Sequence, residues 1–368
     1  MKEKKICWPI FLYIAGYHLF LAVALPIYFM YKTPDMSMIW AMLAMVFVSG
    51  IAVTTGYHRL YSHKAYTAHP AIEPVLLFFA SLATEGSALR WCFDHRLHHA
   101  FVDKDRDPYT VKKGFWHAHI LWMFHRTETI DPKVIADLWR KKLLRFQHEN
   151  YIACMLVSNG LLFLAAGWYF SDYWGAFIFM WMLRMFLLHH TTWCINSLAH
   201  YWGSQSYSEE HSAVDNYLIS IVTYGEGYHN YHHTFVNDYR NGIRWYHFDP
   251  TKWLIWTLHK LGLASDLKTV SDFRIKKELL KHHRDDLLQK LTKSYHEQKE
   301  VIAAKVVEVH DNLNVKLSQL QALLDKTAEV PRQELIAQIR VAKAEFKSEW
   351  KRWKATLKTI SKQKMITI

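Results

Sequence analysis

The chain has 368 residues, 45 Lys+Arg against 33 Asp+Glu for a formal charge of +12, 51% hydrophobic and 15% aromatic side chains, and 24 histidines. With 16 Trp, 20 Tyr and 20 Phe it is too rich in large apolar groups to be disordered, and its four cysteines form no CxxC pair and no disulfide framework. Nor does the charge indicate a nucleic-acid partner, because residues 265–368 alone hold 22 Lys+Arg against 14 Asp+Glu and so carry most of the excess.

Four stretches can cross a hydrocarbon core of roughly 30 Å, which takes about 20 apolar residues in a helix: 7–31, 36–57, 152–170 and 174–195. Lys2, Lys4 and Lys5, with Ala22-Val23-Ala24 downstream, resemble a secretory signal. The apolar run nevertheless continues to Met30, beyond the ~7–15 residues of a signal core, and reads as a span. Residues 58–150 hold 14 Lys+Arg, whereas Ser171-Asp172-Tyr173 between the third and fourth spans holds none. The positive-inside rule then places both termini and the large loop in the cytoplasm, which an even number of spans satisfies. The apolar patch 75–83 is too short to span and is expected to lie in the interface or as a re-entrant helix.

The histidines cluster beside these spans. His58-Arg-Leu-Tyr-Ser-His63 closes the second, His95-Arg-Leu-His98-His99 follows in the large loop, and His229-Asn-Tyr-His232-His233 lies after the fourth. Asn196 and His200 stand one turn apart at the end of the fourth. Positions i, i+3 and i+4 share a helix face, so a helical HxxHH directs three imidazoles at one site. One such group alone reads equally well as surface or satisfied core residues; two of them plus HxxxxH on one membrane face read as a metal site. Nine histidines and an asparagine exceed the four ligands of a tetrahedral zinc and suit two ions. Imidazole takes iron, copper, nickel and zinc alike, so ligand type does not name the metal. A metal transporter or a haem protein is the non-enzyme alternative, but transport sites sit near the bilayer midplane rather than at span ends.

The segments GYHRLYSHKAY (56–66), DHRLHHAFVDKDRDPY (94–109), NSLAHYWG (196–203) and YGEGYHNYHHTF (224–235) resemble the integral-membrane fatty acid desaturases of the stearoyl-CoA (Δ9 acyl-CoA) type, over residues 7 to about 260. The resemblance implies an all-α fold of four transmembrane helices with a cytoplasmic helical cap carrying a di-iron site. By position, one iron falls to His58, His63, His95, His99 and His232. The other falls to His98, His200, His229 and His233, with Asn196 acting through a water. The implied reaction is O2-dependent desaturation of a saturated fatty acyl chain, with acyl-CoA as the substrate and Δ9 as the position. Acyl-lipid desaturases and membrane hydroxylases share the boxes, but the spacings here favour the acyl-CoA type. Asp94, Arg126 and Trp193 match substrate-contacting positions. Asp94, Asp103, Asp107 and Glu226 are candidates for orienting the imidazoles from behind. Three positions depart from the animal enzymes: Phe93 and Thr127 replace an arginine and a lysine that contact CoA, and Gly86 replaces an asparagine. The acyl carrier is therefore either CoA held differently or another group.

Electrons must come from outside, since the sequence has no haem-binding HPGG, no iron–sulfur cysteine set and no dinucleotide fingerprint; Gly225-Glu226-Gly227 lacks the third glycine. Cytochrome b5 or ferredoxin with its reductase is the implied partner. Residues 265–368 form a separate region in which apolar residues recur from Ile302 to Leu324 and from Leu335 to Ile360, predicting a helical hairpin broken near Pro331. Its expected role is a structural appendage, a self-association element, or a contact with anionic lipid through Lys343, Lys347, Lys351, Arg352, Lys354 and Lys358. His282, His283, His296 and His310 read as solvated. No retention signal is visible at Met365-Ile366-Thr367-Ile368, which places the expectation on a bacterial inner membrane rather than an endoplasmic reticulum.

Overall fold

A computed structural model describes residues 6–125, 128–292, 299–325 and 332–362. Two compact units emerge, residues 1–205 with 210–269, and residues 206–209 with 270–368.

Among the described residues of the first unit three helices are long and apolar enough to cross a membrane: Trp8–Tyr31, Met36–Ser62 and Tyr151–Tyr169. The first is opened by Pro9, whose fixed φ suits a first turn. It buries Ile14, Tyr17, Leu21, Ala24 and Tyr28, a ridge of three- and four-residue spacing, and leaves Leu12, Leu19, Val23 and Met30 exposed. Asp35 caps the second helix by accepting from the Ser37 N–H at 2.8 Å. At the bundle end remote from His58, Asp172 accepts the Tyr28 hydroxyl at 2.7 Å and pairs with Lys32 at 2.9 Å.

The fourth predicted span is helical but different in kind. It runs through Tyr173–Ala176, a π-helical Phe177–Leu183 and Arg184–Asn196. None of residues 175–200 is exposed, so this helix has no apolar outer face to offer lipid and can carry Arg184 and His189 in its buried surface. The Arg184 guanidinium is satisfied by the Met180 and Leu82 carbonyls, Ser49 and the Asn159 side chain. The patch at 75–83 forms the short apolar helix Ile72–Ser81. A two-residue antiparallel pair, Thr67↔Ser265 and Ala68↔Ala264, ties the segment after the first histidine box to the chain beyond the Pro250–Lys260 helix.

Among its described residues the second unit has three helices, Asp272–Thr292, Lys299–Asp325 and Arg332–Lys362, one more than the expected hairpin, around a core that includes Leu280, Leu287, Leu313, Leu320, Phe346 and Trp353. The additional helix was hidden because its buried Leu280, Leu287 and Leu291 are sparse among charges. Pro331 and His296 lie outside the described residues. His310 is buried rather than solvated, contacting Asp311, Asn314 and the Trp353 ring, and Arg352 is engaged by Glu349.

Candidate metal centre

The two HxxHH groups are helical, in Ala88–Phe101 and His229–Thr234. The HxxxxH group needs a different backbone. Five residues along an α-helix rotate a side chain about 140° out of line, since each turn takes 3.6. The second span therefore ends as a π-helix, Val53–Ser62, in which the His63 N–H donates to the His58 carbonyl at 3.1 Å. That wider turn brings the two rings to 4.7 Å. Local α-to-π switching at this point is what makes five-residue spacing usable.

The nine histidines converge into two groups. His58, His63, His95, His99 and His232 each offer a nitrogen within 4.8 Å of the others, and His98, His200, His229 and His233 do the same. Their Nε2 atoms face one another: 3.1 Å for His58–His232, 2.8 Å for His63–His95, 3.1 Å for His99–His232, 3.3 Å for His98–His233 and 3.2 Å for His229–His233. One ring N–H cannot serve two such partners at once, so lone pairs are left pointing into shared space, and His200 Nε2 is buried with no hydrogen-bond partner. Such a donor set fits cations and little else. Burial, reinforced by the neighbouring rings, holds His95, His99, His200, His232 and His233 well below the usual imidazole range and His229 down to about 3. The rings are thus kept in the neutral form that ligates metal.

The opposite ring nitrogens are fixed from outside. Glu226 Oε2 lies 3.0 Å from His58 Nδ1, Asp107 Oδ1 2.9 Å from His98 Nδ1, and the Tyr109 hydroxyl 3.2 Å from His95 Nδ1. Asp103 reaches His200 indirectly: its carboxylate accepts from Ser212, whose Oγ is 2.8 Å from His200 Nδ1. Asp94 instead takes the Arg90 guanidinium in two contacts of 2.6 and 3.0 Å. Burial pushes the Glu226 carboxyl up, but Arg59 and His58 outweigh it and bring it down to about 2. Arg59 is itself buried, bridging Glu226 at 2.8 Å and Asp249 at 3.0 Å. The glycines flanking Glu226 allow close approach: a Cβ at Gly227 would lie 2.2 Å from the Ser220 nitrogen, and Gly225, at φ +100°, would meet Asp249.

A cavity of about 470 Å³ leads to both groups, with Asp94, Asn196 and Trp193 in its wall. Arg126 and Thr127 lie outside the described residues. The wall also contains residues the sequence did not single out. Trp91 stacks on the His95 ring at 4.8 Å and donates its indole N–H to Glu85 at 3.2 Å, and Glu85 also accepts from Thr192. Burial raises the Glu85 carboxyl to about 7. No motif marks these three; only their position in the cavity does.

The fatty acid desaturase model matches residues 34–264, which includes every residue of both histidine groups. The chain belongs to the fatty acid desaturase family. It is 40% identical over 252 residues to "Acyl-CoA desaturase 1" of Saccharomyces cerevisiae, covering 67% of this chain and 49% of that one. It is 40% identical over 274 residues to "Probable acyl-CoA desaturase" of Schizosaccharomyces pombe, covering 72% and 56%. Against "sn-2 palmitoyl-lipid 9-desaturase" of Nostoc it is 39% identical over 220 residues, covering 58% and 75%. The chain thus spans about half the length of the two fungal relatives. As a member of this desaturase family, it places the family's region on the first unit, and the matched region ends just before the tail helices begin.

The neutral imidazoles give the metal-free desaturase chain a defined pH response. Folded rings resist protonation, whereas unfolded ones take protons near pH 6.5. Below that value the unfolded state binds more protons, so stability falls with falling pH, by up to about 1.4 kcal/mol per unit for each buried ring. Thermal unfolding of metal-free protein is expected to show a midpoint clearly lower at pH 5.5 than at pH 7.5. A midpoint unchanged across that range would contradict neutral burial.

Proposed function

We propose that the chain is an O2-dependent fatty acyl desaturase working at the Δ9 position, with acyl-CoA as substrate. The observation that carries this is the apolar-walled cavity ending at two convergent groups of histidines, most of them buried. His58, His63, His95, His99 and His232 would hold one iron, and His98, His200, His229 and His233 the other, with Asn196 contributing through water. Bound there, iron and dioxygen supply the oxidising power to remove hydrogen from an unactivated methylene pair, which no side chain has.

The chain's own work is positioning. Glu226, Asp107, Tyr109 and the Asp103–Ser212 pair hold four rings in fixed orientations. Trp91, braced on His95 and tied through Glu85 to Thr192, holds one part of the wall rigid beside the metals. A flexible acyl chain confined in such a wall presents one C–C bond at the reactive end, and this confinement is where much of the rate comes from. At the carrier end, Arg90 is the cation beside Asp94, its guanidinium 5.4 Å from the ring of Phe93. The acyl-CoA reading draws on the two fungal relatives' names; the acyl-lipid alternative is favoured by the Nostoc relative's name and by Phe93 standing where the CoA-contacting arginine is expected.

The topology that fits is four spans, with 173–196 as the inner one and the histidine face and both termini cytoplasmic, where cytochrome b5 or ferredoxin and its reductase deliver electrons. Expression in a desaturase-deficient host, followed by mass-spectrometric location of new double bonds, tests reaction and position together. Growth without a new Δ9 bond would overturn the reading. The second unit has its own core and supplies none of the nine histidines, so deleting residues 270–368 is expected to retain at least about half of the product formed per folded chain. Complete loss in a truncation that still reaches the membrane would make the tail part of the enzyme.

A further inference from the structure

The two histidine groups are unequal: five rings converge on the first, four on the second. His211, on the loop after His200, stands beside the shorter group. Its ring centre is 5.1 Å from that of His233, little more than the 4.6 to 5.0 Å that neighbouring rings of the four keep among themselves. Both of its ring nitrogens are buried and have no hydrogen-bond partner. Neutral imidazole carries one donor and one acceptor, and leaving both unmade away from water costs the full desolvation of each. Two buried ring nitrogens without a hydrogen bond, on a ring 5.1 Å from that of His233, leave this imidazole open to a further partner at the edge of the group.

The loop holds this residue deliberately. Gln205 donates its side-chain amide to the His211 carbonyl, and Ser212 donates its backbone N–H and hydroxyl to the two carboxylate oxygens of Asp103 at 2.6 and 2.7 Å. Ser212 is the same residue that meets His200 Nδ1. Two consecutive residues thus address the second group, Ser212 from behind His200 and His211 from beside His233. We infer that His211 is a fifth imidazole donor to the metal ion of the second group, swinging in from the edge of the cluster when the ion binds. The inference rests on the reading that both groups hold metal. It brings the second site to the same five-nitrogen count as the first, and it is a property of a loop residue that lies in none of the histidine boxes.

The test uses full-length protein in detergent, loaded with iron-57 alone. Wild type is expected to retain two irons, and His211→Ala to release one of them to a chelator with an affinity reduced at least about tenfold while the other is unmoved. One of the two Mössbauer quadrupole doublets should change in the variant, and added imidazole should restore it. Unchanged affinity and spectra would overturn the assignment, as would lower affinity with both doublets unchanged, which would mean that His211 acts through a bound water. Fewer than two irons in wild type would instead overturn the two-metal reading itself. Should the variant not fold, carbethoxylation of wild type decides: the peptide bearing His211 should react in metal-free protein and be protected on loading, and equal reaction in both states removes it from the ligand set.

Discussion

Replacing His233 with alanine is expected to abolish double-bond formation while leaving the chain in the membrane. Its Nε2 lies 3.3 Å from that of His98 and 3.2 Å from that of His229, so its loss removes a nitrogen from the middle of the second group. Losing an outer partner of a ligand typically costs 10- to 100-fold in metal affinity or activity, and losing the ligand itself should exceed the upper end, a fall of more than about 100-fold. The fold should survive, since His233 lies on a six-residue helix and the membrane-crossing helices pack elsewhere. Product formation in cells, normalised to membrane-inserted protein, is the measurement. Retention of more than about a tenth of wild-type product would remove His233 from the metal set.

Much of this site was legible in the residues because ligand spacing and helix geometry are coupled. His95, His98 and His99 share a helix face by arithmetic alone, and so do His229, His232 and His233. The HxxxxH pair was legible as a motif but not as a shape, because nothing in Val53–Ser62 announces the switch to a π-helix, a segment that packs against Ala88–Phe101 and Ile72–Ser81. The groups that hold the rings were half visible. Glu226 and Asp107 lie inside the boxes, but Ser212 is one serine in a polar loop, and its role exists only once Asp103, more than a hundred residues earlier, is brought against it. Glu85, Trp91 and Thr192 were invisible for the same reason. Segment 173–196 carries Arg184, His189 and His190 in a helix none of whose residues 175–196 is exposed, so polar groups there meet protein, and in the tail Leu280, Leu287 and Leu291 suffice for a helix that buries only one narrow stripe.

Replacing Arg59 with alanine is expected to cost stability as well as metal. Arg59 sits in the π-helical turn, one residue after His58, and its guanidinium is 1% exposed. From there it spans Glu226 and Asp249 and donates to the Tyr239 carbonyl at 2.7 Å. Asp249 has other support, accepting backbone N–H groups of Asn241, Gly242 and Lys252 at 2.9 to 3.0 Å. Glu226 has less, and it is the group that orients His58. Arg59→Ala therefore leaves a buried carboxylate short of its cation, and breaking such a pair on one side costs about 3–5 kcal/mol. Purified Arg59→Ala is expected to unfold at a lower temperature and to hold iron poorly, because an uncompensated Glu226 takes a proton and ceases to be a charged acceptor for His58. Glu226→Gln behaves differently. It keeps the shape and leaves Arg59 paired with Asp249, so it should lose about 10- to 100-fold in iron affinity with a smaller loss of stability. The double variant separates the two effects: if the damage in Arg59→Ala is an unpaired charge, adding Glu226→Gln should recover part of the lost melting temperature without recovering iron. A double variant no more stable than Arg59→Ala alone would mean that Arg59 acts through its packing and its bond to Tyr239 rather than through the carboxylate.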